Sequence, residues 1–222
     1  MKVTWLGQAG LLLETGGLTI LVDPYFTDSA ASVACHRKMP VDPKVWDIKP
    51  DVLLITHEHI DHYDPETISH FVHGESNVTV LSPRSVWEQI RRAGGKNNFL
   101  CVSPGVIWTE GDVEIHIVPA VHSDVFAVGF VVFVHGKRYY IAGDTLFSSS
   151  VLAELPDCVD VAFLPINGKG NNMNALDASK FASAINAKTA VPVHFGMLDD
   201  LDPNVFEYPK TIIPEVYKEM EL

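Results

Sequence analysis

The sequence predicts an α/β or α+β domain of stacked sheets with helices outside them. Three observations carry that expectation. Short β-like runs dominate the first half, helical patterns enter between later strands, and neither a regular βαβ alternation nor a GxGxxG fingerprint organises them. The 222 residues, 47% of them hydrophobic, suit a single domain over 1–222, with no linker, low-complexity tract or repeat.

Residues 3–6, 11–14 and 18–22 read as strands, with Gly16 and Gly17 turning the chain between the last two. Residues 51–56 form a continuous apolar run ending at His57, the pattern of a strand buried on both faces. Shorter candidates occupy 78–81, 99–102 and 106–108. Residues 113–118 alternate, Val113, Ile115 and Ile117 against Glu114 and His116. Segments 126–134 and 137–142 flank a His135-Gly136 hairpin turn, and 159–164 and 189–193 complete the strands. Helices are expected at 65–73, capped by Asp64 with Pro65 first, and at 83–93, ending at Gly94-Gly95. A third spans 175–187, with Ala178, Phe181, Ala182 and Ile185 on one face behind Asn174, and a fourth, 214–220, closes the chain.

A net charge of −12 disfavours a broad electrostatic grip on nucleic acid or on an anionic membrane. The start, MKVTWLGQAGLLLETGG, lacks the pattern of a signal peptide, and no window is apolar for the roughly 18 residues of a membrane span. Cys35, Cys101 and Cys158 are odd in number and widely spaced, which favours a reducing cytoplasm and reads them as small core residues.

The densest chemistry lies in HEHIDHYD, residues 57–64. In an extended segment His57, His59 and Asp61 share a face, and His62 follows as the chain turns toward the helix at Pro65. His57 and His59 can then hold one metal and Asp61 and His62 a neighbouring one, with Glu58 pointing away. Imidazole and carboxylate donors suit zinc, manganese or iron. Two coordination spheres need more ligands, and His122, Asp144 and His194 each end an apolar run. His36, His70, His73, His116 and His135 have no such setting and read as surface or hydrogen-bonded residues.

HEHIDH resembles the HxHxDH motif of the metallo-β-lactamase superfamily, and VPAVHS, IAGDT and VPVHFG resemble its later motifs in the same order. The resemblance runs from TWLG and LVDPYF to VPVHFG. It implies an αββα sandwich, two facing mixed sheets with outer helices and a metal cleft at one edge. It implies that His57, His59 and His122 bind a first metal, that Asp61, His62 and His194 bind a second, and that Asp144 bridges them.

Two divalent ions about 3.5–4 Å apart can share a hydroxide formed near neutral pH. The formal charge of two such ions, two aspartates and one hydroxide sums to about +1, which favours anionic substrates or transition states gaining negative charge. Asp61 would both ligate and help orient water, and Asp144 would act beside it. PINGKGNNMN, residues 165–174, offers backbone N–H groups and amides to an oxyanion or to sugar hydroxyls. With LVDPYFTDSA and IAGDTLFS it resembles the branch containing L-ascorbate-6-phosphate lactonases, which implies hydrolysis of a sugar-derived lactone or related ester. Asp23, Tyr25, Arg37, Asn167, Lys169 and Asn174 are the candidate substrate-binding residues; Arg37 and Lys169 would meet a phosphate. Asp23 has a second reading, orienting a ligating histidine. A small-molecule substrate is therefore expected, and the resemblance extends to homo-oligomers. A phosphodiesterase and a non-catalytic metal-dependent sensor are the competing functions.

Overall fold

A computed structural model describes residues 1–74, 77–94 and 96–222. Strands β1 (Lys2–Gly7), β2 (Gly10–Glu14), β3 (Thr19–Val22), β4 (Val52–Leu54), β5 (Thr79–Ser82) and β6 (Asn98–Cys101) build a first sheet. A second holds β7 (Ile107–Glu110), β8 (Val113–Pro119), β9 (Val128–Val134), β10 (Lys137–Ile141), β11 (Val161–Pro165) and β12 (Thr189–Val193). A short β13 (Glu219–Met220) joins the first sheet beside β1, giving the order β13-β1-β2-β3-β4-β5-β6. Both sheets are mixed: β1 to β3 and β7 to β10 pair antiparallel, while β3 to β6 and β10 to β12 pair parallel.

Period-two alternation stacks the layers. Val52 and Leu54 of β4 face the core shared with the second sheet, meeting residues such as Ile115, Phe130 and Tyr139. Leu53 between them turns to the other side, against Ile68 and Phe71 of α1 (Pro65–Val72) and Val86 and Ile90 of α2 (Arg84–Ile90). On the far side of the second sheet, Phe181 of α4 (Ala175–Ala184) stacks on Tyr140, with ring centroids 5.9 Å apart. A one-turn α3 (Ser149–Leu152), unforeseen in the sequence, accompanies it, capped by the Ser148 hydroxyl. The result is two mixed sheets face to face with helices outside, as the sequence predicted.

Local signals explain most boundaries. Asp64 caps α1 by accepting the Glu66 N–H, with Pro65 leading the helix. His135 and Gly136 both take positive φ, 51° and 74°, the left-handed pair that a tight β9–β10 hairpin requires. The second helix is shorter than expected, ending at Ile90 and continuing as a 3-10 turn over Arg91–Ala93. Of its expected Gly94-Gly95 terminus, Gly95 lies outside the described residues.

Two expectations fail. Residues 214–220 form no helix: Tyr217 sits at φ 63°, its N–H bonds the Trp5 carbonyl, and the chain then pairs Met220 with Val3. An open sheet edge at β1 supplies partners that a short C-terminal helix could not. Nor are the cysteines core residues. Cys35 and Cys101 are exposed and Cys158 is half-buried, because the first lies in a loop and the second ends an edge strand. Among the described residues, no helix is long and apolar enough to cross a membrane.

Candidate metal centre

Strand direction gathers the site. β8, β10, β11 and β12 run the same way, since β9 opposes both β8 and β10 and the rest pair parallel. His122, Asp144, the loop after β11 and His194 therefore leave from one edge of the second sheet. Residues 55–62, which follow β4, meet them there, joined by the Val128 N–H to the Thr56 carbonyl at 3.0 Å. Gly143 is required at this seam. Its φ is +60°, and a Cβ would stand 2.8 Å from the Thr56 side chain.

The HEHIDHYD segment is not extended throughout. The His59 carbonyl accepts the N–H groups of His62 and Tyr63, at 3.0 and 2.7 Å, so the chain turns directly after His59. This turn, rather than strand alternation, divides the ligands. His57, His59, His122 and Asp144 gather in one group and Asp61, His62 and His194 in another, the donor atoms of each within 4.8 Å of one another. Glu58 stays exposed and accepts a hydrogen bond from Gln89.

Asp144 lies between the groups. Its Oδ1 faces His62 Nε2 at 3.2 Å and His194 Nε2 at 3.4 Å. Its Oδ2 faces His57 Nε2 at 3.9 Å and His122 Nε2 at 3.8 Å. In the second group Asp61 Oδ2 lies 3.3 Å from His194 Nε2 and 3.8 Å from His62 Nε2.

The inner nitrogens are aimed by partners on the opposite side of each ring. His62 Nδ1 meets Asp23 Oδ2 at 2.8 Å, His57 Nδ1 meets Thr56 Oγ1 at 3.0 Å, and His122 Nδ1 meets the Asn171 carbonyl at 3.2 Å. Among the described residues His57 Nε2, His62 Nε2 and Asp144 Oδ1 are buried without a hydrogen-bond partner. Buried polar atoms are seldom left so. Nitrogen and carboxylate donors converging in this way fit a pair of divalent cations, so all seven residues could hold metal.

The electrostatics agree. Burial, with His62 alongside, pushes the His57 imidazole well below the ordinary histidine range. Burial also opposes charge on His62 and His194, yet the surrounding carboxylates prevail. Asp144, Asp61 and Asp23 hold His62 well above its ordinary value, and Asp144 and Asp61 raise His194 to about 10. Asp61 and Asp144 are in turn held low by His62 and His194 against the cost of burial. In the metal-free chain, protonated imidazoles thus occupy a strongly anionic site.

Of the candidate substrate-binding residues, Asn167 and Lys169 line a cleft of about 640 Å³ together with His59, Asp61, Asp144 and His194. The others do not. Asp23 is fully buried, its oxygens taken by Thr56 and His62, which leaves it the orienting reading. Tyr25 is buried, and its hydroxyl accepts the Ala30 N–H. Arg37 donates to the carbonyls of Tyr25 and Met39 and to the Tyr217 hydroxyl, so it fastens a loop. Asn174 caps α4 through the Asp177 N–H.

Two residues escaped the sequence reading. Gln8 donates to Asp61 Oδ2 at 2.8 Å and lines the cleft, while its carbonyl accepts the His194 N–H and the Trp5 indole N–H. Its signal was a polar residue bracketed by Gly7 and Gly10 just after the first strand. Asp124 accepts from Glu58 N–H, the Ser85 hydroxyl and Phe126 N–H, tying the loop after His122 to the histidine segment.

Residues 2–194 match the family model described as the Beta-lactamase superfamily domain. A UPF0173 metal-dependent hydrolase of Ligilactobacillus salivarius is 32% identical over 98% of this chain and 95% of its own length. Another, of Pelotomaculum thermopropionicum, is 31% identical over 93% of this chain and 90% of its own. In fold the chain is similar to Igni18, a metallo hydrolase from Ignicoccus hospitalis, with a TM-score of 0.79 at 23% identity over 99% of this chain and 97% of that one. The chain belongs to the UPF0173 family of metal-dependent hydrolases within the metallo-β-lactamase superfamily.

Proposed function

We propose that this hydrolase opens a lactone, or cleaves a related ester, of a sugar-derived small molecule at a two-metal centre. His57, His59 and His122 would hold one ion, Asp61, His62 and His194 the other, and Asp144 both. The division of Asp144's two oxygens between the groups is the observation that carries this reading. When bound, two such cations supply Lewis acidity and activate water near neutral pH. The protein's own contribution is orientation. Asp23, Thr56 and the Asn171 carbonyl fix three imidazoles, and Gln8 fixes Asp61.

The cleft supports a small substrate. Its volume, about 640 Å³, lies in the range of small-molecule sites, and its lining mixes apolar Val33, Ile60 and Leu198 with the amides of the loop after β11. Among the described residues Lys169 is the single lysine or arginine in that lining, beside Glu58, Asp61, Asp144 and Asp199. Such a balance disfavours a long polyanion and gives a phosphorylated substrate one charge partner.

The test is a metal-loaded sample assayed against sugar lactones, phosphodiesters and thioesters, with Asp144→Ala in parallel. We expect about two ions per chain, lactone hydrolysis, and loss of both ions and turnover in the variant. Preference for phosphodiesters would replace the lactonase reading, and ligand binding without turnover would identify a sensor.

A further inference from the structure

We infer that Asn172 is a specificity-determining residue that contacts substrate, selecting a hydroxylated ring over its unsubstituted counterpart. The inference rests on the lactone reading above and adds the group recognised and the residue that recognises it.

Asn172 lines the cleft that holds Asp61, Asp144 and His194, yet it is 6% exposed. Among the described residues neither its Oδ1 nor its Nδ2 has a hydrogen-bond partner. Asn167 Oδ1, in the same lining, is also buried and unpartnered. Leaving such atoms unsatisfied is costly, and where they line a cleft beside the reacting groups a bound ligand can complete them. The backbone around them is already committed: Met173 N–H bonds the Thr145 carbonyl, Gly168 N–H bonds the Met173 carbonyl, and the Asn171 carbonyl meets His122. The amides are therefore held in place beside the metal-facing residues.

Their chemistry narrows the ligand. A phosphate or carboxylate oxygen would satisfy the Asn172 donor and leave both amide oxygens without a proton. An ammonium would satisfy the oxygens and leave the donor. A hydroxyl gives and receives, and two hydroxyls on one substrate can serve Asn172 and the Asn167 oxygen together. Neither amide adds charge, so recognition is of a neutral polyol face.

D-Glucono-1,5-lactone and δ-valerolactone share a six-membered ester ring and differ in three ring hydroxyls and a hydroxymethyl group. Compare their kcat/KM in the wild-type holoenzyme and in Asn172→Leu, which keeps the branching at Cγ and removes both polar atoms. The wild type should prefer the hydroxylated lactone, and the variant should lose on the order of tenfold to hundredfold of that preference through KM. Asn172→Asp, which retains acceptors only, should fall between them. Metal content matching the wild type would show that the variants fold and load.

An unchanged preference in Asn172→Leu overturns the inference while leaving lactone hydrolysis intact. Should the wild type hydrolyse neither lactone, calorimetry with the corresponding lactams decides. Tighter binding of gluconolactam than of valerolactam, lost in Asn172→Leu, supports hydroxyl recognition and sinks only the lactonase reading. Equal or absent binding of both lactams overturns the inference as well.

Discussion

On the two-metal reading, replacing Asp23 by asparagine should release one metal before the other. Asp23 Oδ1 accepts the Thr56 N–H at 2.8 Å, while Oδ2 accepts the Thr56 hydroxyl at 2.6 Å and meets His62 Nδ1 at 2.8 Å. In the variant, the amide oxygen must keep the buried Thr56 N–H, since stranding it costs about 1–3 kcal/mol. The amide nitrogen then replaces Oδ2 and donates to His62 Nδ1. That moves the imidazole proton to Nε2, the atom facing Asp61 and Asp144. A protonated Nε2 cannot ligate. Loss of such an orienting partner typically costs 10–100-fold in metal affinity, or about 1.4–2.7 kcal/mol. The Thr56 hydroxyl loses its acceptor and turns toward His57 Nδ1, so the first group is weakened as well, but only through one intervening hydrogen bond, and should release its ion after the second group does. Chelator competition with metal quantified by mass spectrometry should show stoichiometry falling from about two to about one per chain at intermediate free metal. A natively folded Asp23→Asn variant binding both ions with wild-type affinity would refute the tautomer argument.

Two further substitutions test the frame around the site. Gly143→Ala places a Cβ 2.8 Å from Thr56 at φ +60°, so urea denaturation should show a loss of about 2–4 kcal/mol, from left-handed strain together with overpacking. A change within experimental error would mean that the β4 and β10 ends are not locked together there. Arg37→Ala should lower stability, because three loop contacts disappear, while leaving the KM ratio of phosphorylated to unphosphorylated substrates unchanged. A selective rise in KM for the phosphorylated one would restore Arg37 to the substrate site.

What could be read from sequence follows from which interactions are local. Strand alternation, the Asp64–Pro65 cap and the His135-Gly136 turn are decided by neighbours a few residues apart, and each appears where the pattern put it. The C-terminal β13 was missed because its partner, Val3, is more than 200 residues away and leaves no trace in residues 214–220. The seven clustered residues were legible because their spacing within HxHxDH and their positions at strand ends survive in one dimension. Their supporting partners were not. Gln8 and Asp124 are single polar residues whose roles depend on strands folding them against distant groups. Arg37 and Asn174 misled for the opposite reason, being polar residues near the cleft in sequence whose hydrogen bonds are consumed by nearby backbone.

The same cluster sets how the metal-free chain answers pH. His62 is held well above its ordinary value and His194 is raised to about 10, so at neutral pH both are protonated and paired with Asp23, Asp61 and Asp144. A raised folded-state pKa contributes stability in full below the unfolded value of 6.5 and loses it as pH climbs through the folded value. The depressed pKa values of Asp61 and Asp144 contribute above 3.8 and fade as pH falls below it. Burial holds His57 and His122 below the ordinary histidine value, which costs stability as pH falls below 6.5, so metal-free protein should be most stable near pH 6.5 and weaken toward pH 10. Metal must displace the protons on His62 and His194, so loading at pH 7.5 should release about two protons per chain and remove the alkaline decline. Calorimetry in buffers of differing ionisation enthalpy counts those protons, and melting curves across pH 5–10 follow the stability. Metal uptake without proton release, or a metal-free chain equally stable at pH 6 and pH 9.5, would show that protonated imidazoles do not stand in for the cations.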